Sequence, residues 1–266
     1  MFHALRKFLA KPEAAPPATL PQGQRVYAVG DIHGRLDLFE AMRDLIERDD
    51  AAQAPADTTV ILLGDLVDRG ADSAGVLRAA RAWQQRRTVR ILAGNHEEMF
   101  LRGRTELDVF RHFLRHGGKE TILSFGVDPQ AFAEADMEEA QALMQQGIPE
   151  DEIAFIEGFE DRVAMGDYLF VHAGVCPGVP LEEQKTSDLR WIREPFLSHQ
   201  APFGAVVVHG HSIREDAEDK GNRIGIDTGA YMTGKLTAVA LEGTGRRFLQ
   251  VLDQGNGAIQ AGEVAA

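Results

Sequence analysis

The sequence predicts an α/β domain in which two mixed β-sheets pack face to face, flanked by helices and carrying a helical insertion. Three observations lead there. Apolar runs and amphipathic stretches alternate as β-α-β-α-β from residue 25 to residue 93, which implies parallel pairing through crossover helices. After residue 161 apolar runs recur in pairs joined by short turns, the sign of hairpins. Parallel strands in front and hairpins behind suggest two sheets in contact.

The first strand is Arg25-Val26-Tyr27-Ala28-Val29, broken at Gly30-Asp31-Ile32-His33-Gly34. Leu36, Leu38, Phe39, Met42, Leu45 and Ile46 then share a helical face. A second strand, Val60-Ile61-Leu62-Leu63, runs into Gly64-Asp65-Leu66-Val67-Asp68-Arg69-Gly70, a tight loop bearing two carboxylates and a guanidinium. Glycines at both ends let that backbone turn and approach a ligand closely. A helix over 71–86 leads to the strand Val89–Ala93, which ends in Gly94-Asn95-His96-Glu97. Ligands in such sheets gather beyond the carboxyl ends of the strands, where all three polar loops lie.

Residues 99–161 read as a helical insertion over the site, with twelve acids and no Lys or Arg between Glu120 and Asp161. A solvated acidic surface accounts for them better than a docking face does. Strands at Arg162–Met165 and Tyr168–Val171 flank the turn Gly166-Asp167, and the second ends at His172-Ala173-Gly174. Further runs end at His209-Gly210-His211 and Asp227-Thr228-Gly229, before a last hairpin, 236–241 with 248–252.

Composition narrows the class. At 266 residues, 44% of them hydrophobic, the chain suits one sizeable globular core. Its single cysteine, Cys176, excludes an internal disulfide framework and suits a reducing, cytoplasmic setting. We read Cys176 as a packing residue or an oxidisable bystander. No run approaches the roughly 20 apolar residues of a membrane span. A net charge of −13 argues against a nucleic-acid groove binder. Residues 1–24 read as a flexible tail in which Phe2, Leu5, Phe8 and Leu9 could form a weak membrane or partner contact; residues 256–266 read as a second tail. The main folded domain is expected over 25–255, as a monomer.

The strand-end loops supply Asp31, His33, Asp65, Asn95, His172 and His211. Carboxylate, imidazole and amide donors without thiolate suit Mn²⁺ first, with Fe or Zn²⁺ as alternatives. Six donors are too many for one tetrahedral ion but suit two ions sharing a bridge, the arrangement that clamps in-line displacement at phosphorus.

These loops, with Val171-His172-Ala173-Gly174, Gly210-His211, Trp191-Ile192-Arg193-Glu194 and Ile226-Asp227-Thr228-Gly229-Ala230, resemble the motifs of the phosphoprotein phosphatase branch of the calcineurin-like phosphoesterases. The match runs from about Arg25 to Leu252 and is most similar to the compact bacterial and bacteriophage lambda protein phosphatases. The resemblance implies the metallophosphoesterase sandwich and a role for each matching residue. Asp31 and His33 would hold one metal, Asn95, His172 and His211 the other, with Asp65 bridging. His96 would be the general acid, oriented by Asp68, while Arg69 and Arg193 bind phosphate oxygens. His209 is expected to support the site or the fold and not to ligate. The loop before the last strands is shorter than in eukaryotic members, so toxin sensitivity and eukaryotic regulatory subunits are not expected.

Two divalent ions, set against Asp31, Asp65 and a bridging hydroxide, leave about +1; the two arginines raise this to about +3, facing a phosphate ester of about −2. The site therefore attracts its substrate although the whole chain is acidic. The expected reaction is hydrolysis of phosphoserine and phosphothreonine, with phosphotyrosine as a further substrate, by direct attack of that hydroxide. Hydrolysis of dinucleoside polyphosphates such as diadenosine tetraphosphate is the alternative, and a non-catalytic scaffold is a distant third.

Overall fold

A computed structural model of the protein describes residues 17–265. The apolar face suggested for Phe2–Leu9 lies outside them. The front half follows β1 (Gln24–Val29), α1 (Leu36–Ala52), β2 (Asp57–Leu62), α2 (Ser73–Gln84) and β3 (Val89–Ile91). Six helices come next: α3 (Asn95–Gly103), α4 (Leu107–Phe113), α5 (Lys119–Ser124), α6 (Pro129–Glu134), α7 (Met137–Gly147) and α8 (Glu150–Glu157), with a π-helical turn over Leu114–Gly118. The back half holds β4 (Arg162–Met165), β5 (Tyr168–Val171), α9 (Thr186–Trp191), β6 (Val206–His209), β7 (Glu218–Asp219), β8 (Arg223–Gly225), α10 (Ala230–Thr233), β9 (Lys235–Glu242), β10 (Gly245–Asp253) and β11 (Ile259–Val264).

The strands make two mixed sheets, ordered β11-β10-β9-β1-β2-β3 and β4-β5-β6-β8-β7. β1, β2 and β3 run parallel, as do β5, β6 and β8. Side-chain alternation along β1 explains the layering. Val26 and Ala28 enter the core between the sheets with Phe170, Val208 and Val239. Tyr27 and Val29 face the other way, against Phe39, Met42 and Leu77 of the outer helices. Both faces of β1 are thus buried, which is why the strand reads as a nearly continuous apolar run. Outside the second sheet, Leu189 and Phe196 cover Leu169, Val171 and Val207.

The expected tails need correction at their inner ends. Residues 17–24 are held to the fold: Leu20 is buried and donates its N–H to the Gly243 carbonyl at 2.9 Å, and the Asp167 N–H donates to the Thr19 carbonyl at 3.0 Å. At the other end, residues 259–264 are not a tail but edge strand β11, paired antiparallel with β10 from Asp253↔Ile259 to Phe248↔Val264. β11 is held by main-chain pairing and an Arg247–Glu263 ion pair at 3.0 Å, with little burial, so no hydrophobic pattern announces it. Among the described residues, no helix is long and apolar enough to cross a membrane.

Candidate metal centre and active site

The loops after β1, β2, β3, β5, β6 and β8 meet at one end of the sandwich. Five residues of these loops have positive φ: His33 (48°), Asp65 (50°), Asp68 (72°), Arg69 (70°) and His211 (61°). L-residues enter this region at a cost, and such strain persists only where the surroundings over-determine it. Here they do. The fully buried Glu97 carboxylate accepts the N–H groups of Asp65 (2.9 Å), Leu66 (2.7 Å), Val67 (3.3 Å) and Gly94 (2.8 Å). The Asp68 N–H meets Thr121 Oγ1 at 2.8 Å and Ser73 Oγ at 3.0 Å, and the Arg69 N–H reaches the Gly117 carbonyl at 3.1 Å. Two glycines permit the loops to touch: a Cβ on Gly94 would strike the Asp65 carboxylate, and one on Gly210 the Asp31 carboxylate.

Two clusters of donor atoms result, His33–Asp65–His96 and Asp65–His172–His211, each with its atoms within 4.8 Å of one another. Asp65 belongs to both. The chemistry of these donors fits cations. His33 Nδ1 donates to the Val67 carbonyl and His172 Nδ1 to the Leu63 carbonyl, both at 2.8 Å. In the neutral rings each Nε2 then carries a lone pair. His33 Nε2 faces Asp65 Oδ2 at 3.5 Å; His172 Nε2 faces Asp65 Oδ1 at 3.4 Å and Asn95 Oδ1 at 3.0 Å. Around His172 these are acceptors turned on acceptors in a buried pocket, with no proton to share, and outer hydrogen bonds of the kind both rings make orient metal-binding imidazoles. Burial holds His33, His172 and, at about 3, His211 below the usual imidazole range, so the unprotonated ligand form is favoured.

Asp31 stands outside both clusters. It accepts the His211 N–H at 3.0 Å and lies against Asp227; burial, then Asp227 and Asp65, push its carboxyl well above the usual range. Burial would also raise Asp65, but the surrounding His172, His96 and His33 outweigh it and hold that carboxyl low.

His96 Nδ1 donates to Asp68 Oδ2 at 2.6 Å, and Thr121 Oγ1 donates to Asp68 Oδ1 at 2.6 Å. Burial pulls the His96 imidazole down, yet Asp65 and the Asp68 hydrogen bond prevail and hold it above its ordinary value. The Arg69 guanidinium reaches His33 Nε2 at 3.1 Å and His96 Nε2 at 3.0 Å. Across the cleft, Arg193 Nη1 donates to Ser212 Oγ at 3.2 Å. The cleft has a volume of about 420 Å³ and opens over Asp31, His33, Asp65, Arg69, Asn95, His96, Arg193 and His211. His172 lies beneath it.

His209 packs edge-on against Phe196, 4.9 Å between ring centroids, and Cys176 lies away from the cleft, its amide held by Gln184 Oε1 at 2.7 Å. Sequence reading assigned no role to Glu97, Asp227, Thr121, Ser73 or Tyr231. Glu97 and Asp227 sit inside motif loops, which was their signal. Thr121 meets Asp68 only through the tertiary fold, and Ser73 meets it locally but outside any motif, so neither carried one.

Residues 24–228 match the family described as calcineurin-like phosphoesterase. The chain is 29% identical over 225 residues to the serine/threonine-protein phosphatase 1 of Salmonella typhimurium, covering 82% of this chain and 93% of that one. It is 26% identical over 270 residues to the symmetrical bis(5'-nucleosyl)-tetraphosphatase of Nitrosospira multiformis, with 82% and 92% coverage. In fold it is similar to a crystal structure described as a putative diadenosine tetraphosphatase (TM-score 0.59, 19% identity, 92% and 98% covered) and to a cold-active protein tyrosine phosphatase (TM-score 0.58, 19% identity, 92% and 80% covered). By the family match over most of its length and by its two mixed, helix-flanked sheets, this chain belongs to the calcineurin-like phosphoesterases.

Proposed function

We propose that the protein is a dinuclear, metal-dependent phosphomonoesterase that hydrolyses phosphoserine and phosphothreonine in proteins, with phosphotyrosine as a further substrate. One observation carries the reading: the Asp65 carboxylate is shared by two donor clusters, beside a His96–Asp68 pair whose Nε2 lies at the cleft against the Arg69 guanidinium. Asp31 and His33 would hold one ion, Asn95, His172 and His211 the other, and Asp65 both. The donors are all N and O, which favours Mn²⁺, with Fe or Zn²⁺ as alternatives. The ions would supply Lewis acidity and a water whose pKa falls towards roughly 7.

The chain's own groups do the rest. Arg69 and Arg193 bind and orient the phosphoryl oxygens, since guanidinium donors match that geometry. The oxygen of water bonds to phosphorus as the P–O bond to the serine or threonine oxygen breaks. His96 gives its Nε2 proton to that leaving oxygen and is later reprotonated from solvent. Asp68, held by Thr121, keeps the ring aimed and favours its charged form. A substrate phosphate takes Arg69 from the two Nε2 atoms it now meets, freeing His96 to act.

A second reading, hydrolysis of dinucleoside polyphosphates, is supported by the similarity to symmetrical tetraphosphatases. Side-by-side assays of phosphoserine peptides and diadenosine tetraphosphate decide. Faster turnover of the nucleotide at equal concentration would replace the protein-phosphatase reading. We also place the protein in a reducing, cytoplasmic setting, on its single cysteine.

A further inference from the structure

The rim of the cleft carries two histidines that this chemistry does not use. His112 at the end of α4 and His116 in the π-helical turn both line the cleft that holds Arg69 and His96. Their ring centroids are 4.1 Å apart. His116 Nδ1 lies 2.8 Å from the His112 carbonyl, which can only accept, so this nitrogen carries a proton and Nε2 is the free one. The pair is fixed to the phosphate-binding loop. The next residue, Gly117, holds the Arg69 N–H, and its backbone approaches so closely that a Cβ would strike Arg69 N and Cα.

Charge is one-sided here. Among the residues lining the cleft, the only acids are Asp31 and Asp65, at its metal-binding floor. The remaining titratable groups of the walls include Arg69, His96, His112, His116 and Arg193. Nearby acids are already matched: Glu98 accepts from Trp191 (3.2 Å) and Arg190 (3.4 Å), and Asp108 from Arg111 (2.8 Å). Burial and then the positive neighbours His116, Arg115 and His96 hold the His112 imidazole below its ordinary value. Cationic groups crowded without a counter-charge repel one another until an anion enters.

We infer that His112 and His116 form a second anion subsite, which binds a phosphate group carried by the leaving group, one position beyond the phosphoryl being cleaved. The inference rests on the proposed role of His96, because the acid marks the side from which the leaving group departs, and His112 lines the same cleft near enough to His96 to feel its charge. A phosphate there offsets the repulsion that His112 meets from His116, Arg115 and His96, with Arg115 adding fixed charge. The shared chemistry, a second phosphate, has two sources: the polyphosphate chain of a dinucleoside tetraphosphate, or a neighbouring phosphoserine in a peptide.

The test compares the parent with His112→Gln/His116→Gln and with His112→Arg, which restores a fixed charge, each at confirmed full metal loading. The substrates are p-nitrophenyl phosphate, a singly phosphorylated serine peptide, the same peptide with a second phosphoserine, and diadenosine tetraphosphate. The double variant should raise KM roughly tenfold for at least one substrate carrying a second phosphate, relative to p-nitrophenyl phosphate, and His112→Arg should keep the parent's selectivity. A change confined to the tetraphosphate assigns the subsite to a polyphosphate chain, and one confined to the doubly phosphorylated peptide to a flanking phosphoresidue. Equal effects on all four substrates, or none, overturn the inference. A parent inactive on phosphoserine but active on the tetraphosphate defeats the protein-phosphatase reading alone.

Discussion

The Arg69 guanidinium lies over the face of Tyr231, 4.5 Å from the ring centroid, and the same ring meets His33 edge-on at 5.3 Å. Arg69 has positive φ, its N–H is held by Gly117, and its head is steered by an aromatic face from α10. Stacking of this kind contributes about 0.5–2 kcal/mol.

Tyr231→Leu should therefore weaken inhibition by inorganic phosphate about threefold to tenfold with both metals retained, and Tyr231→Phe should behave as the parent. Arg69→Ala and Arg193→Ala should weaken phosphate binding further. Phosphate inhibition as tight in Tyr231→Leu as in the parent would show that the stacking does not position Arg69.

Metal removal should cost stability as well as activity. Asp31, Asp65 and Asp227 are buried carboxyls within one electrostatic group, and burial first, then the Asp65 charge, push Asp227 up to about 6 against the pull of the Gly229 N–H and Arg69. A ligand bound only by the folded state stabilises it by about 2.7 kcal/mol at a hundred times Kd. Chelation should lower Tm by several degrees and abolish turnover, with Mn²⁺ restoring both. Asp65→Asn should lose more metal and more rate than His33→Ala or His211→Ala, because Asp65 serves both clusters. Metal analysis showing two ions in an active Asp65→Asn would remove the bridge.

A serine oxygen needs a proton as it leaves, whereas p-nitrophenolate hardly does. General acid catalysis contributes 10²–10⁴-fold, so His96→Asn should depress phosphoserine turnover far more than p-nitrophenyl phosphate turnover. Asp68→Asn should show a milder form, and Thr121→Val a milder one still, because Thr121 reaches the ring only through Asp68. The measurement is the ratio of the two rates at full metal loading; an unchanged ratio in His96→Asn sinks the assignment.

Glu97 accepts four main-chain N–H groups in the interior. Glu97→Gln replaces one acceptor oxygen with an NH₂ that faces donors, and a buried unmet donor costs about 1–3 kcal/mol. Thermal unfolding should show that loss, together with weaker metal retention as the 64–70 loop relaxes. Parent-like Tm and metal content would mean that the loop holds its strained φ values without this brace.

Much of the protein was legible in one dimension, for a physical reason. A strand buried on both faces must be apolar throughout, so β1, β2, β5 and β6 stand out as runs, and the polar loops that end them carry the donors together. Asp31, His33, Asp65, Asp68, Arg69, Asn95, His96, His172 and His211 are each local to such a loop. What only the tertiary structure decided depends on contacts between distant segments. Thr121 meets Asp68 across 53 residues, Gly117 seats Arg69, and Tyr231 lies under the Arg69 guanidinium, none with a pattern in its own neighbourhood. β11 joins the sheet through main-chain hydrogen bonds, which every residue but proline can make, so its side chains carry no periodic mark. The left-handed φ of five non-glycine residues belongs to the same class: their own side chains disfavour it, and distant partners hold it, Glu97 for Asp65, Thr121 for Asp68, Gly117 for Arg69, the Asp65 carbonyl for His33 and Asp31 for His211.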